Sequence, residues 1–140
     1  MVQVWALLAA GSDVNAAEPD GATALHWVSY HDEIETLDRL LAGGADANAV
    51  NDLGVSALWT ASENGSTDAV SRLLAAGADP NLALLAGETP VMVAARSGAA
   101  EVVDLFFQAG AIPEARGSRG QTALMLAVAQ QLPSVVQVLI

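Results

Sequence analysis

The chain has no cysteine. That excludes a disulfide framework and any thiolate zinc site. It has no lysine either, and its five basic residues are all arginines, set against sixteen carboxylates for a net charge of −11. Such a balance repels phosphate and gives no counterion-release drive toward nucleic acid. It also disfavours anionic membrane surfaces. Aromatic residues are only 4% of the chain, so the core must be built from many small contacts. Only two histidines are present, His26 and His31. Their spacing of five does not place them on one helix face. The longest apolar region, 122–140, is interrupted by Gln130, Gln131 and Pro133. Two short helices explain it better than a membrane span. The apolar opening 1–10 has no positively charged start and does not read as a signal peptide. No segment marks a compartment.

Against these absences, hydrophobic residues make up 53% of the chain, far too much for intrinsic disorder. The charge is uneven. Residues 1–85 hold twelve acids and two arginines, and residues 86–140 hold four acids and three arginines. A cationic partner would be steered to the N-terminal part. Above all, a short pattern recurs: Gly21-Ala22-Thr23-Ala24-Leu25, Gly54-Val55-Ser56-Ala57-Leu58, Gly87-Glu88-Thr89-Pro90-Val91 and Gly120-Gln121-Thr122-Ala123-Leu124. Each step is 33 residues. A second glycine series, Gly11, Gly44, Gly77 and Gly110, keeps the same register, with Leu7-Leu8, Leu40-Leu41, Leu73-Leu74 and Phe106-Phe107 just before it. Self-similarity of this period marks a stacked repeat array.

Each period reads as two short antiparallel helices. Thr23, Ser56, Thr89 and Thr122 are expected N-caps, and Pro90 suits a first helical position. Helix A runs about eight residues, as in Pro90 to Ser97. Gly65 and Gly98 can end it in the left-handed conformation. Asp32 and Gln131 hold the equivalent places, and a distorted turn is expected at Gln131-Leu132-Pro133 because glutamine takes that conformation poorly. Helix B, as in Ala100 to Ala109, carries Val102, Val103, Phe106 and Phe107 on one face. Helices this short need neighbours to hold them.

These residues resemble the ankyrin repeat. Asp20-Gly21-Ala22-Thr23-Ala24-Leu25-His26, Gly87 to Ala95, and Gly44-Ala45-Asp46-Ala47-Asn48 carry the resemblance. It implies an all-α solenoid of helix-turn-helix units joined by short β-hairpins or extended loops. The array divides into a partial repeat at 1–19, repeats at 20–52, 53–85 and 86–118, and a partial repeat at 119–140. Ala24, Ala57 and Ala123 replace the family proline. Ile112 and Glu114 replace the Asp and Asn of the last loop motif, weakening its hydrogen bonding. Residues 2–10 match only a helix B, so a fragment of a longer protein is expected. For His26 the resemblance implies a structural hydrogen bond near the helix start.

No catalytic constellation emerges and no cofactor is implied. Asp13, Asp46 and Asp79 share one repeat position, which makes them scaffold rather than an acid/base pair. His31-Asp32-Glu33 reads as a solvated turn, not a metal site. Gly117-Ser118-Arg119-Gly120 reads as a hairpin tip, since it lacks a lysine and a strand-to-helix context. Of Trp5, Trp27 and Trp59, core packing is the expected role, with interface anchoring as the alternative.

The family's partners, the resemblance implies, lie along the hairpin tips and the concave face of the inner helices. By position these are Trp27, Tyr30, His31, Leu53, Val55, Glu63, Asn64, Leu84, Leu85, Glu88, Arg96 and Arg119. Leu82-Ala83-Leu84-Leu85 suggests an exposed apolar finger; the alternative folds Leu82 and a neighbour back onto the stack. Arg96, Arg116 and Arg119 would place a positive cluster beside it. The function expected is protein–protein interaction, with a structural spacer as the alternative and an enzyme disfavoured. The partner is another protein, not nucleic acid or membrane, and the uncovered apolar ends suggest end-to-end self-association.

Overall fold

A computed structural model of the chain describes residue 11 and residues 13–140. The expectations placed on Val4, Trp5, Leu7, Leu8 and a helix over 2–10 lie outside the described residues. Among the described residues there are eight helices and no β-strand. They are α1 (Ala24–Tyr30), α2 (Ile34–Ala42), α3 (Ala57–Glu63), α4 (Thr67–Ala75), α5 (Pro90–Ser97), α6 (Ala100–Gln108), α7 (Ala123–Ala129) and α8 (Pro133–Leu139).

The odd-numbered helices start at the residue after each repeated Thr or Ser. Ser56 Oγ accepts the Trp59 N–H at 3.1 Å. Thr89 and Thr122 accept from Met92 and Met125 at 3.4 and 3.3 Å. Each bond satisfies an amide that the first turn leaves without an internal partner. At Thr23 the cap is reciprocal, and His26 supplies the returning side chain that Glu or Gln provides elsewhere.

The turn joining the helices of each pair needs one left-handed residue. Gly65 and Gly98 supply it with φ of 68° and 80°, and Asp32 and Gln131 take it at 56° and 55°. The distorted turn expected at Gln131 does not occur. Leu132 N–H donates to Ala127 O at 3.0 Å, as Ala99 does to Ala94 at 3.0 Å. The same bonds fix all four turns, so Gln131 takes on local strain while the geometry stays regular.

The helices stack in two rows. α1, α3, α5 and α7 form an inner row, and α2, α4, α6 and α8 an outer one. Small side chains make the inner row close-packed: Ser29, Ala61, Ser62, Ala94, Ala95 and Ala127 are all fully buried. The inner helices contact one another more extensively than the outer ones. Between the rows runs one continuous apolar core that includes Leu25, Leu37, Leu58, Leu73, Met92, Val103 and Phe106. In α5 every residue from Pro90 to Ala95 is buried.

Side chains also tie each repeat to the next. Asn15, Asn48 and Asn81 each donate to the carbonyl of Gly44, Gly77 and Gly110, at 3.2, 3.0 and 3.2 Å. Each also accepts an amide, from Asp46, Asp79 and Ile112, at 2.7, 2.7 and 2.9 Å. Asp13, Asp46 and Asp79 accept the amide two residues on, each at 2.9 Å. Ile112 has no such oxygen, so its loop lacks this side-chain bond and keeps the backbone bond from Ala115 at 3.3 Å. On the outer row, Arg72 reaches from α4 to Asp38 on α2, with Nε 2.7 Å from the carboxylate. That hydrogen bond and charge raise the guanidinium further above its ordinary value. The pair is half-exposed, so solvent screens it and it contributes little to stability.

Between helix pairs the chain makes tight hairpins. Gly21, Gly54, Gly87 and Gly120 donate to the carbonyls of Glu18, Asn51, Leu84 and Gly117 at 2.8–2.9 Å. Ala17 pairs with Thr23 and Val50 with Ser56 in isolated antiparallel bridges. Successive tips join through Asp52 N–H to Asp20 O at 2.8 Å and Leu85 N–H to Leu53 O at 3.1 Å. Close approach makes glycine necessary at 54, where a Cβ would lie 2.8 Å from Leu85 N.

Candidate functional site

The inner helices end beside the hairpin tips, so one face of the stack presents both. His26 fixes this face at its N-terminal end. Its Nδ1 accepts the Thr23 N–H at 3.0 Å, and the Thr23 hydroxyl lies 3.0 Å from the same atom. Accepting an N–H requires Nδ1 to be unprotonated, so the proton sits on Nε2. Nε2 then donates to Val55 O at 2.8 Å, across the junction between repeats. The side chain is buried, and both ring nitrogens serve the scaffold.

One residue further along α1, the surroundings reverse. Trp27 is 46% exposed and Tyr30 62% exposed. The core role expected for Trp27 is therefore corrected: a helix turns about 100° per residue, and that step carries Trp27 off the buried face that His26 shares. Trp59 stands in register with His26 rather than with Trp27, and it is half-buried. Its indole N–H is buried without a hydrogen-bond partner among the described residues. Trp27 instead donates from Nε1 to Glu18 Oε1 at 3.0 Å. Its ring lies 6.2 Å from His31, stacked at 13°, and Tyr30 meets His31 edge-on at 5.1 Å. Trp27, Tyr30 and His31 thus form one aromatic cluster.

Beside the cluster lies an open cleft of about 380 Å³ between α1 and α3, lined by Ala22, His26, Trp27, Tyr30, Asn51, Val55 and Thr60. Most of its polar side-chain atoms are engaged within the protein. Asn51 Oδ1 accepts from Leu53 and Val55, each at 3.0 Å. The Thr60 hydroxyl donates to Ser56 O at 3.3 Å. At the C-terminal end of α3, Asn64 Nδ2 donates to Ser29 O and Tyr30 O at 3.0 Å each. Its amide therefore clips α3 to α1. Leu53, at the tip of the second hairpin, is 69% exposed, and Glu63 is exposed at the end of α3.

The other predicted residues lie further along the stack. The apolar finger is smaller than expected: Leu85 is 80% exposed, while Leu82 and Leu84 are half-buried. Leu84 N–H donates to Glu88 O at 2.9 Å within the hairpin, which directs that residue back along the stack. Arg96 forms an ion pair with Glu88, joining the end of α5 to the preceding hairpin. Arg116 donates to Gly120 O at 2.7 Å. Of the expected positive cluster, Arg96 is neutralised locally, while Arg116 and Arg119 stay exposed and charged on the last hairpin. The structure thus brings Trp27, Tyr30, His31 and Val55 together, with Leu53, Glu63 and Asn64 around them. Leu84, Leu85, Glu88 and Arg96 form a second group, and Arg119 stands alone.

Sequence reasoning passed over Glu18, Asn51 and Thr60 as parts of one cleft. A signal was present, since 18, 51 and 84 share one repeat position and only Leu84 was singled out. Among the described residues, no group of three or more His, Cys, Asp or Glu side chains is placed to hold a metal ion. Nor is any described helix long and apolar enough to cross a membrane.

No curated protein matches the chain. A family model described as ankyrin repeats (3 copies) matches residues 2–83 and again 83–140. Its span agrees with the repeated helix pairs, the asparagine ladder and the hairpins. The chain belongs to the ankyrin-repeat family.

Proposed function

We propose that this chain binds another protein along its inner-helix ends and hairpin tips, through Trp27, Tyr30, Leu53, Glu63, Leu85 and Arg96. Ankyrin repeats are generally protein-interaction modules and typically non-enzymatic. The observation that carries the reading is the exposure of Trp27 and Tyr30 beside an open cleft. Large aromatic side chains on a surface are characteristic of interface hot spots. The repeat units in this reading are 20–52, 53–85 and 86–118, with partial units at 1–19 and 119–140.

Substituting Tyr30, Leu85 and Arg96 together by alanine tests the placement. All three side chains are exposed, so the fold should persist, as circular dichroism would verify. The variant should lose partners that the unaltered chain captures from an extract of its source cells. Unchanged capture would displace the site, and the absence of any partner would favour a structural spacer. The proposal includes end-to-end self-association through the apolar ends; there Val135 is buried and Val138 and Leu139 half-buried, while Leu124, Met125 and Val128 of α7 are exposed. A sedimentation profile that stays monomeric as concentration rises would remove that part.

A further inference from the structure

The cleft between α1 and α3 has a chemistry more specific than a general docking surface. We infer that it receives an arginine side chain from a basic segment of the partner, seated against Trp27 and Tyr30 and held by the carboxylates around the rim. This rests on the proposed docking role of the inner face and names the chemistry of what docks there.

The aromatic cluster provides the first half of the argument. His31 stacks with Trp27 and meets Tyr30 edge-on, and Trp27 and Tyr30 keep about half of their surface open. A guanidinium is planar and weakly hydrated, so it stacks on aromatic faces better than an ammonium does. A cleft of about 380 Å³ has room for such a side chain. Its polar lining atoms at His26, Asn51 Oδ1 and Thr60 are already bonded within the protein. Recognition there falls to the aromatic faces and to whatever charge surrounds them.

Charge complementarity provides the second half. Glu18 sits at the edge of the cleft, positioned by the Trp27 indole. Asp20 holds the amide of the lining residue Ala22 at 3.0 Å. Asp52 follows the lining residue Asn51 and is joined to Asp20 through the backbone. Glu63 lies one turn beyond the lining residue Thr60 on α3. Glu18 and Asp20 thus bond to residues that line the cleft, and Asp52 and Glu63 lie one and three residues from others. The basic side chains lie elsewhere: Arg39 pairs with Glu35 on α2, Arg72 with Asp38 and Asp68 on the outer row, and Arg96 with Glu88 at the next junction. The field at the cleft is thus negative and attracts a cationic segment.

The test uses the full chain and two short fluorescein-labelled peptides, one alternating arginine and leucine, the other alternating glutamate and leucine. The arginine peptide should bind, with amide shifts centred on residues 18–31 and 51–64, and the glutamate peptide should not. Trp27→Ala and Tyr30→Ala should each weaken binding about tenfold, the scale of a desolvated cation–aromatic contact. Glu18→Gln with Glu63→Gln should weaken it and flatten its salt dependence. Glu101→Gln on the outer helix α6 should leave it unchanged. Equal binding of both peptides, indifference to Trp27→Ala and Tyr30→Ala, or shifts centred on the outer helices would overturn the inference. A captured partner whose footprint covers only Leu85, Glu88 and Arg96 would also overturn it, while leaving the inner face as the docking surface.

Discussion

Replacing Gly54 by alanine separates two demands that a repeat array places on its glycines. Gly54 has a φ of 82° and Gly44 a φ of 93°, so an L-residue at either place is strained by about 1–2 kcal/mol. Beyond that the two differ. A Cβ on Gly44 would meet nothing within 4 Å. A Cβ on Gly54 would lie 2.8 Å from Leu85 N and 3.2 Å from Leu84 Cα, both backbone atoms of the next hairpin. Backbone cannot rotate aside, so the third hairpin must move away from the second. That movement would stretch the Leu85 N–H to Leu53 O bond of 3.1 Å, worth about 0.5–1.5 kcal/mol. Gly54→Ala should therefore cost about 1–3 kcal/mol more than Gly44→Ala, within the usual range for a backbone clash. Urea unfolding of the two variants reads the difference as a shift in midpoint at constant slope. Equal destabilisation would refute the idea that close hairpin stacking sets this position. Added protection of Leu85 from hydrogen exchange in the Gly54→Ala variant would refute it as well.

Two other substitutions probe the joints between repeats. Asn48→Ala removes a donor to Gly77 O and an acceptor for Asp79 N–H; it should cost about 1–3 kcal/mol, measured by thermal unfolding. Gln131→Gly relieves a left-handed glutamine whose φ is 55° and should stabilise the chain by up to about 1 kcal/mol. Asp32→Gly should gain less, because the Asp32 carboxylate accepts the Ser66 hydroxyl at 2.6 Å.

The helix pairs and hairpins were legible because they follow from local rules that recur every 33 residues. Thr and Ser caps, Pro90 at a first helical position and glycines past the helix ends each dictate the backbone nearby. The surface was legible only in outline. Trp27 and Trp59 look alike in a chain poor in aromatics; core packing was expected for both, although Trp27 was also placed among the partner-facing residues. One register step separates them, which on a helix decides between solvent and interior. The Glu88–Arg96 pair joins residues eight apart in sequence, at a spacing that no single helix face brings together. It forms because the hairpin returns beside the end of α5. Asn64 was expected to meet a partner, but its amide is used by carbonyls a full repeat earlier. Such long-range contacts depend on how repeats stack, and neither composition nor period encodes that directly. Gln131 erred the other way, since its intrinsic preference was overruled by the hydrogen bonds of the turn.

Hydrogen exchange of the chain with and without a captured partner tests the central claim most directly. New protection is expected at the hairpin tips 51–55 and 84–88 and at the ends of α1 and α3, with α2, α4 and α6 unchanged. Protection confined to those outer helices, with the inner ends and tips unaffected, would contradict it.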